Sequence, residues 1–190
     1  GGDARIIFAG GITPQWMHET VLKALEKVPE CRYTLCGPVG EAYLSRLEAL
    51  PGWAQTDYLG RIPHGEVAKQ MAHCRAGVAL LRPGKNTNGH STMGNTKIFE
   101  EMMAGLPVIC TDFSLWREFV ERYHCGVCVD PEDVDQVVLA LRRLLEHPEE
   151  ARQMGENGRR AVREAFNWSV EEQTLLGLYR DLSGSCDKGR

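Results

Sequence analysis

Three observations predict that this sequence folds as an α/β domain, a doubly wound parallel sheet of six strands. Short apolar runs alternate with helix-period segments six times along the chain. The runs are apolar nearly throughout rather than at alternate positions, the pattern of strands covered on both faces. Glycines close the early runs at Gly10, Gly37 and Gly60, where a parallel sheet collects its ligand loops.

Taken in order, residues 5–9 form a buried strand that ends in Gly10-Gly11. Residues 14–28 read as one amphipathic helix, with Val21, Leu22, Leu25 and Val28 on its apolar face. Residues 32–36 form the second strand, closed by Gly37-Pro38-Val39-Gly40. A helix at 41–50 stops at Pro51-Gly52. The third strand, 56–59, leads into Gly60-Arg61-Ile62-Pro63-His64. A helix at 66–73 and a fourth strand at 77–81 follow. The loop 82–94 holds three glycines, two asparagines and no acid. Asn95 suits an N-cap for a helix over 96–104, with Ile98, Phe99, Met102 and Met103 on its apolar side. Gly105 suits the left-handed position after that helix, and Pro107 bars its continuation. The fifth strand is 108–110, the next helix 115–123, and the sixth strand 127–129. Helices at 133–146, 148–166 and 168–182 complete the pattern before a polar tail at 183–190.

Composition narrows the function. The chain has 190 residues, of which 43% are hydrophobic and 25% charged, enough for one sizeable core. A net charge of −4 argues against nucleic acid or an anionic membrane as a partner of the whole surface. The charge is uneven: between Glu66 and Glu100 there is no acid, while Lys69, Arg75, Arg82, Lys85 and Lys97 fall in that stretch. A basic pocket on an acidic protein suggests a small anion as ligand. Seven cysteines, an odd number in no secreted spacing, fit a reducing cytoplasm. Cys125 and Cys128 form a C-x-x-C without a second pair and read as buried thiols. No metal-ligand cluster and no membrane-spanning run is visible.

With the strand order 3-2-1-4-5-6, ligands bind at the carboxyl ends of the strands, beside the first and fourth. That points to the loops at 10–16, 37–40, 60–64 and 82–95 and to the start of the helix after Asn95. The first loop lacks G-x-G-x-x-G, so a nicotinamide dinucleotide is not expected. Lys97 is the informative residue. A lysine at the positive end of a helix is unfavourable unless an anion is near. A phosphate would use the ammonium, the free amides and the dipole together. The alternative is an exposed Lys97–Glu101 pair at i,i+4, contributing roughly 0.2–0.5 kcal/mol.

The run Lys97-Ile-Phe-Glu100-Glu-Met-Met-Ala-Gly105-Leu-Pro107-Val-Ile resembles the K-x-F-E-x-M-A-x-G-x-P-V-I signature of family 4 (group 1) glycosyltransferases. These are retaining enzymes with two Rossmann-like domains facing across a cleft, the GT-B architecture. The resemblance covers the donor-binding, C-terminal domain, here residues 1–182. It implies that 168–182 is a crossover helix toward an N-terminal domain that this chain lacks. It also implies a nucleoside-diphosphate sugar as donor substrate and no cofactor or metal. Lys97 would serve catalysis at the diphosphate, and Glu100 would hold the ribose. Gly10, Gly11, Gly37, Arg61, Ile62, Arg82, Lys85, Asn95 and Thr96 complete the expected nucleotide-sugar site.

The chain departs from the family pattern at three charges. The diphosphate arginine and lysine common in the first loop correspond here to Gly11 and Trp16. The first glutamate, eight residues before Glu100, is Thr92. Lys97, Arg82 or Lys85 would then carry the diphosphate. Trp16 is either a stacking surface or a helix-face anchor, and His90 either reaches a sugar or is an ordinary loop residue. The expected function is sugar transfer to a hydroxyl acceptor in polysaccharide or glycolipid biosynthesis. The enzyme would be cytoplasmic and, through the missing domain, peripheral to a membrane carrying a lipid or glycan acceptor. The isolated domain is expected to be inactive. A non-catalytic nucleotide-binding module, one chain of a two-chain transferase, and a GT-B sugar-nucleotide epimerase remain open alternatives.

Overall fold

The computed structural model describes residues 4–84 and 96–165. Six parallel strands form one sheet: β1 (Ala4–Ala9), β2 (Cys31–Cys36), β3 (Thr56–Gly60), β4 (Ala76–Ala79), β5 (Val108–Thr111) and β6 (Gly126–Val129). Their order is β3-β2-β1-β4-β5-β6, as the alternation predicts. The helices are α1 (His18–Leu25), α2 (Glu41–Glu48), α3 (His64–Met71), α4 (Thr96–Ala104), α5 (Ser114–Tyr123), α6 (Val134–Glu146) and α7 (Pro148–Ala165). The expected helix over 168–182 lies outside the described residues.

Successive side chains of a strand point to opposite faces, and the core divides accordingly. Ile6, Phe8, Tyr33, Leu35, Val78 and Ile109 pack with α1 and α6 in the largest apolar cluster. On the other face, Val108 and Cys110 pack with Ile98 and Met102 of α4, Trp116 and Phe119 of α5, and Ala161 and Val162 of α7. Ile7, Cys36, Met71 and Leu106 form a smaller third cluster beneath α3. Of the two thiols predicted to be buried, Cys125 is fully buried, whereas Cys128 is only partly so, with its Sγ 3.7 Å from Cys110 Sγ on the neighbouring strand. Asp133, predicted as the first residue of a helix, caps α6 instead by accepting from the amides of Asp135 and Gln136.

The helix expected over 14–28 is broken. Pro14–Trp16 forms one 3-10 turn, Met17 adopts the left-handed conformation (φ 47°), and α1 starts at His18. The break turns Trp16 onto Phe8, with ring centroids 5.2 Å apart, and buries Met17. Packing of these two side chains outweighs the local helical preference.

α4 is held at its far end by α7. The Arg159 guanidinium donates to Met103 O (3.2 Å) and Ala104 O (2.7 Å), carbonyls that the helix itself leaves unpaired. Gly155 of α7 approaches so closely that a Cβ there would lie 1.9 Å from Gly105 O. Gly105 has φ 80°, the left-handed turn its position predicts.

His18 is fully buried at the start of α1. Its Nδ1 lies 3.0 Å from the Tyr33 hydroxyl, its ring is edge-on to Phe8, and its Nε2 has no partner. Burial, reinforced by the Lys97 charge, pushes its pKa down to about 3 from 6.5. The unfolded chain therefore binds this proton more readily, and His18 favours the fold above pH 6.5 and loses that contribution as pH falls toward 3. His18→Phe loses the Tyr33 bond at every pH but escapes the acid penalty. Its deficit in urea midpoint relative to wild type should shrink from about pH 7 to about pH 5; a deficit that does not change would contradict the buried neutral ring.

Candidate functional site

The carboxyl ends of β1, β2 and β3 meet the start of α4 around a cleft of about 290 Å³. Ala9 and Gly10 line it from β1, and Cys36, Gly37 and Pro38 from β2. Arg61, Ile62, His64 and Val67 come from the β3–α3 segment, and Lys97 and Glu100 from the first two turns of α4. A wider groove of about 410 Å³ adjoins it between α3 and α4, walled by Met71, Phe99 and Met103 and sharing His64, Val67 and Glu100 with the cleft.

The floor is built from backbone. Gly10 N donates to Cys36 O (2.8 Å), Gly37 N to Gly60 O (2.7 Å) and Ile12 N to Pro38 O (2.9 Å), so the strand ladders continue into the loops. Two glycines permit this closeness. A Cβ on Gly37 would lie 1.8 Å from Gly10 O, and one on Gly10 would lie 1.6 Å from Lys97 Nζ. Both have positive φ, 145° and 148°, which side-chain-bearing residues rarely adopt.

Lys97 reaches back over this floor. Its ammonium donates to Ala9 O at 2.8 Å and stands 4.9 Å from the Phe8 ring centroid and 5.4 Å from that of Trp16. Two aromatic faces and a carbonyl thus surround a half-buried cation. Burial lowers its pKa, and Glu100 and Glu101 oppose that shift. Trp16 offers Lys97 a ring face rather than a charge of its own.

Of the predicted site residues, Gly10, Gly37, Arg61, Ile62, Lys97 and Glu100 line one cleft. Gly11 is exposed and does not line it. Thr96 starts α4 at the cleft edge. The amide of Arg82 donates to Gln15 O, and its guanidinium acts on Tyr43, whose hydroxyl bonds Glu19, so it does not line the cleft. Lys85, His90, Thr92 and Asn95 lie outside the described residues. The acid-free stretch does not form one basic patch either. Arg75 precedes β4 and Arg82 follows it, so the strand carries them to opposite ends of the sheet, and Lys69 pairs with Glu66 at 2.6 Å. Among the described residues, no group of three His, Cys, Asp or Glu side chains could hold a metal ion. Among them also, no helix is long and apolar enough to cross a membrane.

The alternative of an exposed Lys97–Glu101 pair fails. Glu101 is 2% exposed, and its Oε2 has no partner. Its carboxyl lies against β4 at Gly77, where a Cβ would be 2.2 Å from Cδ. The signal was present in the spacing: Glu101 is three residues after Ile98 and adjacent to Met102, on the buried stripe of α4. Met103, predicted on that stripe, is instead 45% exposed.

Residues 1–161 match the glycosyl transferases group 1 family, and the chain belongs to that family. A stretch of 78 residues, 40% of the chain, is 40% identical to MMP alpha-(1->4)-mannosyltransferase of Mycolicibacterium hassiacum, where it covers 19% of that enzyme. Sucrose-phosphate synthase from Thermosynechococcus elongatus superposes with a TM-score of 0.76 at 22% identity, over 96% of this chain and 46% of that one. HepE of Anabaena, solved in complex with UDP and glucose, superposes with a TM-score of 0.75 at 16% identity, over 94% of this chain and 49% of that one. The chain thus spans about half the length of these solved structures. The fold is the Rossmann-like fold of GT-B glycosyltransferase domains.

Glu101 makes a stability prediction. Burial pushes its pKa up to about 8 from 4.5, with Lys97 opposing and Glu100 adding to the rise. Lys97 and Glu101 both shift toward neutrality, so desolvation outweighs their attraction. The folded state holds this proton more tightly than the unfolded one, so stability falls as pH rises from 4.5 to 8. Glu101→Gln removes that loss. In thermal melts the variant should gain on wild type steadily between about pH 5 and about pH 8; parallel curves would contradict the buried acid.

Proposed function

We propose that this chain is the nucleotide-sugar-binding domain of a glycosyltransferase that moves a sugar from a nucleoside diphosphate to a hydroxyl acceptor. The carrying observation is that Lys97 and Glu100 line the same glycine-floored cleft at the start of α4. In this reading the diphosphate lies over Gly10 and meets the Lys97 ammonium and the amides that open α4. Glu100 accepts hydrogen bonds from the ribose hydroxyls. Backbone at Arg61 and Ile62 faces the base, and the groove between α3 and α4 lies alongside. The crystallised complex of HepE with UDP and glucose supports a sugar nucleotide as the ligand class.

The chemical step follows from this placement. As the glycosidic bond to the leaving diphosphate breaks, negative charge grows on the departing oxygen. Lys97 and the helix dipole stabilise that charge without reorganising, because the strand ends and α4 already hold them in place. The sugar is transferred with retention of its anomeric configuration. In this reading the acceptor hydroxyl is held by a second, N-terminal domain. The free thiols of Cys31, Cys36 and Cys110 support a reducing cytoplasm as the site of action. A glycan or lipid-linked acceptor would be met through the other domain.

Two tests follow. Charge-assisted hydrogen bonds contribute roughly 1.5–3 kcal/mol, so Lys97→Ala should weaken nucleoside diphosphate binding about ten- to a hundredfold while leaving nucleoside binding nearly as it was. Glu100→Ala should instead erase the preference for ribose over 2′-deoxyribose. Calorimetry with nucleoside, deoxynucleotide and diphosphate reads both, and unchanged diphosphate affinity in Lys97→Ala refutes the assignment. The purified chain should also bind a nucleotide sugar without transferring it. Turnover to an added acceptor by this chain alone would show that it contains the whole active site.

A further inference from the structure

α4 carries a second carboxyl that donor binding does not use. Glu101 lies one turn after Lys97, buried and outside the cleft lining, with Oε2 unpartnered. The fold makes room for it: β4 places Gly77 beneath its carboxyl, where a side chain would collide. An apolar residue would fill that space without burying an unpaired polar atom, so packing alone does not explain an acid there.

The groups that face Glu101 are few. Lys97 and Glu100 act on it from its own helix. Cys110 of β5 and Tyr33 of β2 feel its charge. β4 presents Gly77, which has no charge, and β1 presents the Ala9 carbonyl to Lys97. Arg159 of α7 bonds carbonyls at the far end of α4, and His64 of α3 lines the cleft beside Glu100. Lys97 is the cation in this set whose charge opposes the rise in the Glu101 pKa.

We propose that Glu101, buried without a partner for Oε2 one turn after Lys97, takes up a proton when a nucleoside diphosphate enters the cleft. The inference rests on the reading of Lys97 as a diphosphate ligand. An ionised Glu101 competes from inside the helix for the same ammonium that the diphosphate needs. Negative charge arriving at Lys97 raises the cost of a carboxylate one turn away in a dry interior, so the bound state favours the protonated acid. Burial keeps the acid titrating near neutrality in the empty protein, at about 8, so both forms are populated there. By linkage, affinity for the diphosphate falls as pH rises past the midpoint of the empty protein, by at most tenfold per pH unit.

The test is calorimetry of the full chain with UDP-glucose and with GDP-mannose, kept below the pH at which the uracil and guanine N–H groups begin to ionise, so that neither donor titrates itself. Titrations in buffers of different ionisation enthalpy count the protons exchanged. Wild type should take up a fraction of one proton per ligand near about pH 8 and lose affinity above it. Glu101→Gln should take up none and hold a level affinity across the range, which separates this carboxyl from His64. Binding that depends on Lys97 yet exchanges no proton overturns the role of Glu101 and leaves the donor reading standing. Binding that Lys97→Ala leaves unchanged overturns both, as does the absence of binding by either donor. If Glu101→Gln does not fold, carbon NMR of the wild-type Glu101 carboxyl decides: its midpoint must move to higher pH on adding the donor, and a fixed midpoint overturns the proposal.

Discussion

One hydrogen bond ties the two halves of the cleft together: the Lys97 ammonium donating to Ala9 O at 2.8 Å. It joins the helix that opens the cleft to the strand that floors it, and it sets demands on the neighbours. Position 10 must lack a side chain, because a Cβ there would occupy the ammonium's place. Position 37 must lack one too, because the β2 end passes against the Gly10 carbonyl. Phe8 and Trp16 then supply polarisable faces to a cation partly withdrawn from water. Such contacts contribute about 0.5–2 kcal/mol as desolvation increases. The break at Met17 acquires a purpose in this light, since it is the 3-10 turn that brings Trp16 to Phe8 and Lys97.

The helix bearing Lys97 is fixed at its other end by unrelated means. Arg159 satisfies two terminal carbonyls, and Gly155 lets α7 close on Gly105. Between these anchors Ile98 and Met102 sink into the cluster shared by α5 and α7. A charged group mounted on such a helix keeps its position with little freedom left to lose when a ligand arrives. Of the charges that line the cleft, Lys97 and Glu100 are set by α4, while Arg61 stands in the segment between β3 and α3.

Two buried titratable groups flank this arrangement, His18 on one face of the sheet and Glu101 on the other. Each keeps one polar atom without a partner. Each is held neutral by desolvation, with pKa values displaced in opposite directions. Their effects on folding oppose one another between pH 4.5 and 6.5, where His18 gains as pH rises and Glu101 loses. The same Lys97 charge depresses the His18 pKa and restrains the rise at Glu101, which couples both to whatever neutralises that charge in the cleft.

Much of this architecture was legible in the chain because it depends on local chemistry. The strand order followed from six apolar runs separated by helix-period segments. The bounds of α4 and the left-handed turn at Gly105 followed from a glycine and a proline at the right offsets. Lys97 stood out because a cation at a helix start is unfavourable without an anion, and it lines the cleft with Glu100. The spacing of Glu101 from Ile98 hinted that it faces inward, but only the fold shows that Gly77 of β4 leaves room for its carboxyl. The sequence could not show Arg75 and Arg82 leaving for opposite ends of β4, because closeness in sequence across a strand means separation in space. The break at Met17 was hidden for the same kind of reason: it is set by Phe8, which belongs to another element. Sequence alone determined the elements and their layering through short-range periodicity and backbone restriction. Which charges share the cleft was decided by tertiary packing, because only contact between distant segments sets how each charge is solvated.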